Sequence, residues 1–111
     1  MCSYQTLFYN DECGYVILCH ACDSIQVAFG NILLTWNRPD FYDFYEFITR
    51  MLNETPIDDA AINKKTLAIP VPCEGVRILL SLRELQQLHQ MLDTAETELQ
   101  SQQLMSLLSG A

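Results

Sequence analysis

Long apolar runs are missing from this sequence. No stretch approaches the roughly 18 consecutive apolar residues of a membrane-spanning helix. The opening Met1-Cys2-Ser3-Tyr4-Gln5-Thr6 lacks the basic start and apolar run of a secretion signal. A cytoplasmic protein is the expectation. Cations are scarce as well: six Lys and Arg stand against fourteen Asp and Glu, a formal net charge of −8. Arg38, Arg50, Lys64, Lys65, Arg77 and Arg83 are scattered, and only Lys64 and Lys65 are neighbours. Phosphate backbones are gripped by clustered cations that release counterions, so nucleic acid is not an expected partner. Anionic membrane surfaces are disfavoured on the same grounds. There is no glycine-rich phosphate loop, no dinucleotide fingerprint and no His-Glu-x-x-His.

What remains suits one ordinary domain. Half of the 111 residues are apolar, enough for a real core. Tyr4-Gln5-Thr6-Leu7-Phe8-Tyr9 is aromatic and β-leaning, Asn10-Asp11-Glu12-Cys13-Gly14 has turn chemistry, and Tyr15-Val16-Ile17-Leu18-Cys19 reads as a second strand. After the turn His20-Ala21-Cys22-Asp23, the alternation of Ile25, Val27 and Phe29 predicts a strand with one apolar face. Gly30-Asn31 supplies a two-residue hairpin turn that pairs Phe29 with Ile32 and aligns Ile32, Leu34 and Trp36 with them. Asn37 then caps a helix with Pro39 and Asp40 in its first turn, and Phe41, Phe44, Ile48 and Met51 recur at helical spacing.

A polar connection over residues 53–63 leads to a second hairpin, residues 66–71 and 76–80, around Pro72-Cys73-Glu74-Gly75. Ser81 and Glu84 form a capping box before a helix striped by Leu82, Leu85, Leu88, Leu92, Ala95 and Leu99. A gapless shift of 44 residues lays the first hairpin and helix on the second: Ile25 on Ile69, Val27 on Val71, Trp36 on Leu80, the cap Asn37 on the cap Ser81. The expected fold is therefore α+β: an antiparallel sheet from an N-terminal hairpin (1–22) and two hairpin–helix units (23–53 and 64–100), with both long helices on one face. A tail over residues 101–111 carries Leu104, Leu107 and Leu108 out of phase with the preceding stripe. It packs on its own domain or forms a dimer contact. The expected core is Ile17, Ile25, Val27, Phe29, Ile32, Leu34, Trp36, Phe41, Phe44, Ile48, Ile69, Val71, Ile78, Leu80, Leu85, Leu88 and Leu92.

Five cysteines, an odd number, cannot all close into intramolecular disulfides. Cys19-His20-Ala21-Cys22 is the sharpest local feature. A Cys-x-x-Cys turn between strands is zinc-knuckle geometry, with Cys19 and Cys22 as the first two ligands. Completing four ligands is the difficulty. Cys13 lies about 20 Å from Cys19 if the stretch between them is a strand, His20 is too close in sequence to join, and Cys2, Cys73 or a second chain would have to contribute. A thiol-redox pair is the other chemical reading, but Asp23 next door disfavours a thiolate and the following residues alternate like a strand rather than opening a helix. Two ordinary semi-buried cysteines at a tight turn are the bland alternative.

No catalytic set emerges. His89 has no nucleophile placed by spacing, Cys73 reads as a tolerated small residue, and Asp11-Glu12, Asp58-Asp59 and Glu96/Glu98 suggest no acid–base dyad. Phe41, Tyr42, Phe44, Tyr45 and Phe47 place five aromatics within seven residues, more than one helix face can bury. Tyr42, Tyr45 and Phe47 are thus candidates for a partner or homodimer surface, unless the C-terminal segment covers them. The leading functional expectation is a non-catalytic interaction or regulatory module, possibly homo-oligomeric, with a zinc-type metal module as the rival and a thiol-redox protein third.

The string Gly14-Tyr15-Val16-Ile17-Leu18-Cys19-His20-Ala21-Cys22, followed by Ile25-Gln26-Val27-Ala28-Phe29-Gly30-Asn31 and later by Leu80-Ser81-Leu82-Arg83-Glu84-Leu85 with Met91-Leu92-Asp93, resembles a family of small uncharacterised bacterial proteins, a domain of unknown function of about this length. The resemblance implies bacterial origin and a single soluble domain. It carries over no activity, cofactor or partner.

Overall fold

Four strands run as an antiparallel meander in the computed structural model, which describes residues 3–109: β1 (Tyr4–Asn10), β2 (Gly14–Cys19), β3 (Ser24–Phe29) and β4 (Ile32–Asn37), in the spatial order β1-β2-β3-β4. Helix α1 (Arg38–Glu54) follows directly. A short 3-10 turn (Asp59–Ala61) then leads into β5 (Leu67–Pro70) and β6 (Arg77–Leu80), and α2 (Leu82–Leu108) closes the chain. The fold is α+β, with α1 lying over β3 and β4, α2 over β1 and β2, and the two helices packed against each other on one face of the meander.

Turn chemistry sets the register. Gly30 takes φ +59° in the two-residue turn, and Phe29 pairs with Ile32, Val27 with Leu34 and Ile25 with Trp36. Asn37 caps α1 by accepting from the Asp40 N–H at 2.8 Å. Gly14 holds φ +136°, and a Cβ there would meet the Ala28 carbonyl oxygen at 1.8 Å, so only glycine lets β2 and β3 close at this point.

Three expectations are corrected. First, β5 and β6 form a separate two-stranded sheet and do not extend the meander. Each is only four residues long, β5 ends in Pro70, and Pro72 follows, so this hairpin has too few donors to pair further. Second, the two hairpins differ in register. Ile69 pairs with Ile78 and Leu67 with Leu80, whereas the gapless repeat would oppose Ile69 to Leu80. The slip is two residues, which leaves the same side chains facing the core. Third, β2 buries Val16 and Leu18, while Ile17 points to the outer face and is half-exposed. In β1 a bulge between Thr6 and Phe8 turns both Leu7 and Phe8 toward the core.

One apolar cluster binds the layers together. Val16, Leu18, Ile25 and Val27 from the sheet meet Phe41, Phe44 and Ile48 of α1, Ile69 and Leu80 of the second hairpin, and Leu82, Leu85, Leu88, Met91, Leu92, Ala95 and Leu99 of α2. Phe29, Leu34, Trp36 and Ile78 are half-buried at its margin. The opposite face of the meander carries Tyr4, Thr6, Tyr9, Tyr15, Ile17, Gln26, Leu33 and Thr35 and no charged side chain. No helix among the described residues is long and apolar enough to cross a membrane.

The start of α2 is clamped. Ser81, itself buried, receives the Glu84 N–H, and the Glu84 carboxylate accepts from the Ser81 N–H at 2.9 Å and from Lys65 Nζ at 2.8 Å. Burial works to raise the Glu84 carboxyl, but the Lys65 and Ser81 donors outweigh it and hold it below its ordinary value of 4.5. Its contribution to stability is therefore present above pH 4.5 and lost as pH falls through the depressed folded-state value. Two outcomes are expected in thermal or denaturant unfolding. Ser81→Ala destabilises the fold by about 1 kcal/mol, and Glu84→Gln flattens the decline of stability below pH 4.5. Gly14→Ala is expected to be more damaging than either, by more than about 2 kcal/mol, because backbone rather than a movable side chain occupies the space.

Candidate functional site

The Cys19–Cys22 turn closes the β2–β3 hairpin. Its geometry follows from the strands: Leu18 faces the core, so Cys19 faces the other way, and it pairs with Tyr4 on one side and Ser24 on the other. Cys19 is fully buried there, while Cys22 is exposed. The two Sγ atoms are 2.7 Å apart, and Cys22 Sγ lies 3.4 Å from Ser24 Oγ. Asp23 adopts a left-handed φ of +50°, which folds the turn back. The Asp23 carboxylate accepts from Arg38 Nε at 2.8 Å, so the negative charge beside the thiols is balanced by the first residue of α1. His20 is turned away. Its backbone N–H donates to the Ser3 carbonyl, and its Nε2 lies 2.9 Å from Gln5 Oε1.

The structure thus brings Cys19 and Cys22 together and leaves Cys13 and Cys73 at other turns. Cys13 stands in the β1–β2 turn and packs on the core margin, whereas Cys73 is exposed in the β5–β6 loop. Cys2 lies outside the described residues. Among the described residues no group of three or more His, Cys, Asp or Glu is placed to hold a metal ion. Two thiolates on one tetrahedral zinc, each at about 2.3 Å, stand about 3.7 Å apart, wider than the separation found here. The described residues supply two zinc donors, in contact with each other.

The aromatic helix divides its candidates. Tyr45 is committed inward to α2: its phenol donates to Asp93 Oδ1 at 2.6 Å, and its ring stacks on His89 at 5.9 Å between centroids. The hydrogen bond to Asp93 pushes the Tyr45 phenol up to about 12, with burial adding to it. Phe47 lies on the opposite flank, where it lines a shallow hollow with Trp36, Phe44, Pro70 and Pro72. Tyr42 remains exposed, 6.3 Å from the Tyr45 ring, and lines a second hollow with Arg38, Phe41, Leu99 and Gln103. The three residues do not form one patch.

A larger surface lies at the end of α2. The stripe is buried only as far as Leu99, and beyond it Leu104, Met105, Leu107 and Leu108 are 57, 64, 72 and 74% exposed. The tail is a continuation of α2 and its leucines do not pack on their own domain. Nine residues at 1.5 Å each carry the helix about 14 Å past its last buried residue. Residues 99–109 contain no charged side chain. Where the helix leaves the body, a hollow of about 590 Å³ opens between its Leu99, Gln103, Ser106 and Leu107 and the body's His20 and Arg38. The sequence signal for this surface was present in the out-of-phase leucines, but the helical continuation that exposes them depends on α2 outrunning the sheet.

A family model matches this chain over residues 1–109, nearly its whole length. The chain belongs to the family of unknown function DUF6686. No curated protein and no solved structure matches it. For this DUF6686 chain the geometry of its own residues carries the functional argument, and the α1–α2 seam is open to a direct test. The contribution of the Tyr45 hydrogen bond is fully present below pH 10, the ordinary phenol value, and is lost as pH rises through about 12. Tyr45→Phe is expected to destabilise by about 1 kcal/mol at neutral pH. In a spectrophotometric titration it should also remove the phenol that ionises near pH 12 in the parent protein.

Proposed function

We propose that this protein is a non-catalytic interaction module that self-associates through the C-terminal end of α2. The observation that carries the reading is the run of four large apolar side chains, each more than half exposed, on a helix end that outruns its own core. Exposed apolar residues gathered in one place mark an interaction surface, whereas single ones are ordinary.

The lack of charge on the helix end favours a second copy as the occupant. Two bodies that each carry −8 repel, and a surface built to receive a basic partner would present carboxylates. The helix end presents none. It meets its partner with leucine, methionine, serine and glutamine. At physiological salt the screening length is about 8 Å, so repulsion between charges on the two bodies is damped beyond that range. A specific interface needs about 1,000 Å² of total buried area. Four large side chains per copy, with Leu107 entering the hollow beside His20 and Arg38, provide apolar area on that scale. Tyr42 borders the same region through Arg38, Leu99 and Gln103, which line both hollows.

Sedimentation equilibrium tests this directly. The parent chain is expected to associate reversibly, and Leu104→Ser with Leu107→Ser and Leu108→Ser should shift it to monomer with an unchanged unfolding midpoint for the body. A parent chain that is monomeric at every concentration, or a triple variant that associates as strongly as the parent, would overturn the reading.

A further inference from the structure

We infer that Cys19 and Cys22 form a reversible dithiol–disulfide couple whose oxidant is a small disulfide of the glutathione type. The self-association proposed above makes no use of this turn, and the observations here are independent of it. The two sulfurs are 2.7 Å apart, inside ordinary non-bonded contact, which for carbon atoms begins near 3.5 Å and is no shorter for the larger sulfur. They are also closer than a shared tetrahedral metal would hold them. A covalent bond between the two sulfurs is the chemistry that such a contact leads to.

The pair is asymmetric in the way that thiol–disulfide exchange uses. Cys22 is exposed and Cys19 is completely buried, so an incoming disulfide meets Cys22 first. The Cys22 thiolate attacks one sulfur of the oxidant. The oxidant's S–S bond breaks, one thiolate leaves and takes up a proton, and Cys22 holds a mixed disulfide. The Cys19 thiolate then attacks the Cys22 sulfur from within the turn and expels the second small thiolate, which is protonated in turn. Two protein thiols have lost two electrons and two protons, and one small disulfide has become two thiols.

The surroundings suit this exchange. The Asp23 carboxylate beside the turn is paired with Arg38 at 2.8 Å. His20, between the two cysteines in sequence, is held against Gln5 and Ser3 and leaves the sulfurs facing each other.

The test equilibrates the full chain, purified without an affinity tag, across a range of reduced-to-oxidised glutathione ratios, followed by alkylation and peptide mapping. The expected product is an intramolecular bridge between Cys19 and Cys22, fully reversed by excess reduced glutathione. Cys73, exposed but alone at its turn, should stop at the mixed disulfide. Cys22→Ser, a change at an exposed position, should abolish the bridge while leaving the fold intact. Cys19→Ser should accumulate the glutathione adduct on Cys22 if it folds, and the Cys22→Ser comparison stands without it. Three results would overturn the inference: no bridge at any ratio, a bridge that joins either cysteine to a different one, or stoichiometric zinc on the purified protein that shields both thiols from oxidation.

Discussion

The apolar stripe of α2 is the constraint on which the rest of the molecule depends. From Leu82 to Leu99 it presents buried side chains at helical spacing to β1 and β2, to α1 and to the second hairpin. Each of those elements is insufficient alone. A two-stranded hairpin such as β5–β6 is marginal in water, and a four-stranded meander with one apolar face needs a cover. The stripe supplies the cover for part of the meander and α1 supplies the rest, which is why the two helices must lie side by side. The capping box at Ser81 and Glu84 sets where the stripe begins, and Lys65, from the loop before β5, ties that start to the second hairpin.

Much of this was legible in the residues. Gly30-Asn31, the cap Asn37, Pro39 and the Ser81–Glu84 box all carry their mechanism in their chemistry, and each stands where its type demands. The errors arose where local pattern is degenerate. In Val16-Ile17-Leu18 both phases of the alternation are apolar, so the pattern cannot choose a face. The choice is made by the pairing of Cys19 with Ser24 across the turn, which opposes Leu18 to Ile25 and Val16 to Val27. The bulge at Leu7 has no residue signature, because it serves to turn two consecutive apolar residues inward. The register slip in the second hairpin follows from a six-residue loop where the first hairpin has two. A gapless comparison is blind to that difference.

The candidate site was legible in part for the same reason. Cys-x-x-Cys marks its own turn, but the direction of His20 and the neutralisation of Asp23 by Arg38 come from pairs fifteen residues apart in sequence. Five aromatics in seven residues announced a crowded helix without saying which ring faces where. That is decided by the crossing of α1 and α2, which presents His89 and Asp93 to Tyr45 and leaves Tyr42 outside. Polar tips on aromatic bodies let one side chain pack and bond at once. Tyr45 is therefore a component of the helix seam, while Tyr42, three residues earlier, stays on the exposed face.

The thiol turn and the helix end adjoin. His20, between Cys19 and Cys22, forms a wall of the hollow whose opposite wall is Leu99, Gln103, Ser106 and Leu107 of α2. Arg38 reaches both, as the counter-ion of Asp23 in the turn and as a lining residue of the hollow. A turn four residues long, bounded by the pair Cys19–Ser24, has little freedom to change its covalent state without moving the side chains it carries. Arg38 therefore links the Asp23 carboxylate of the turn to the lining of the hollow. The acidic body, the neutral helix end and the paired thiols thus meet around one cation, in a chain that has only six.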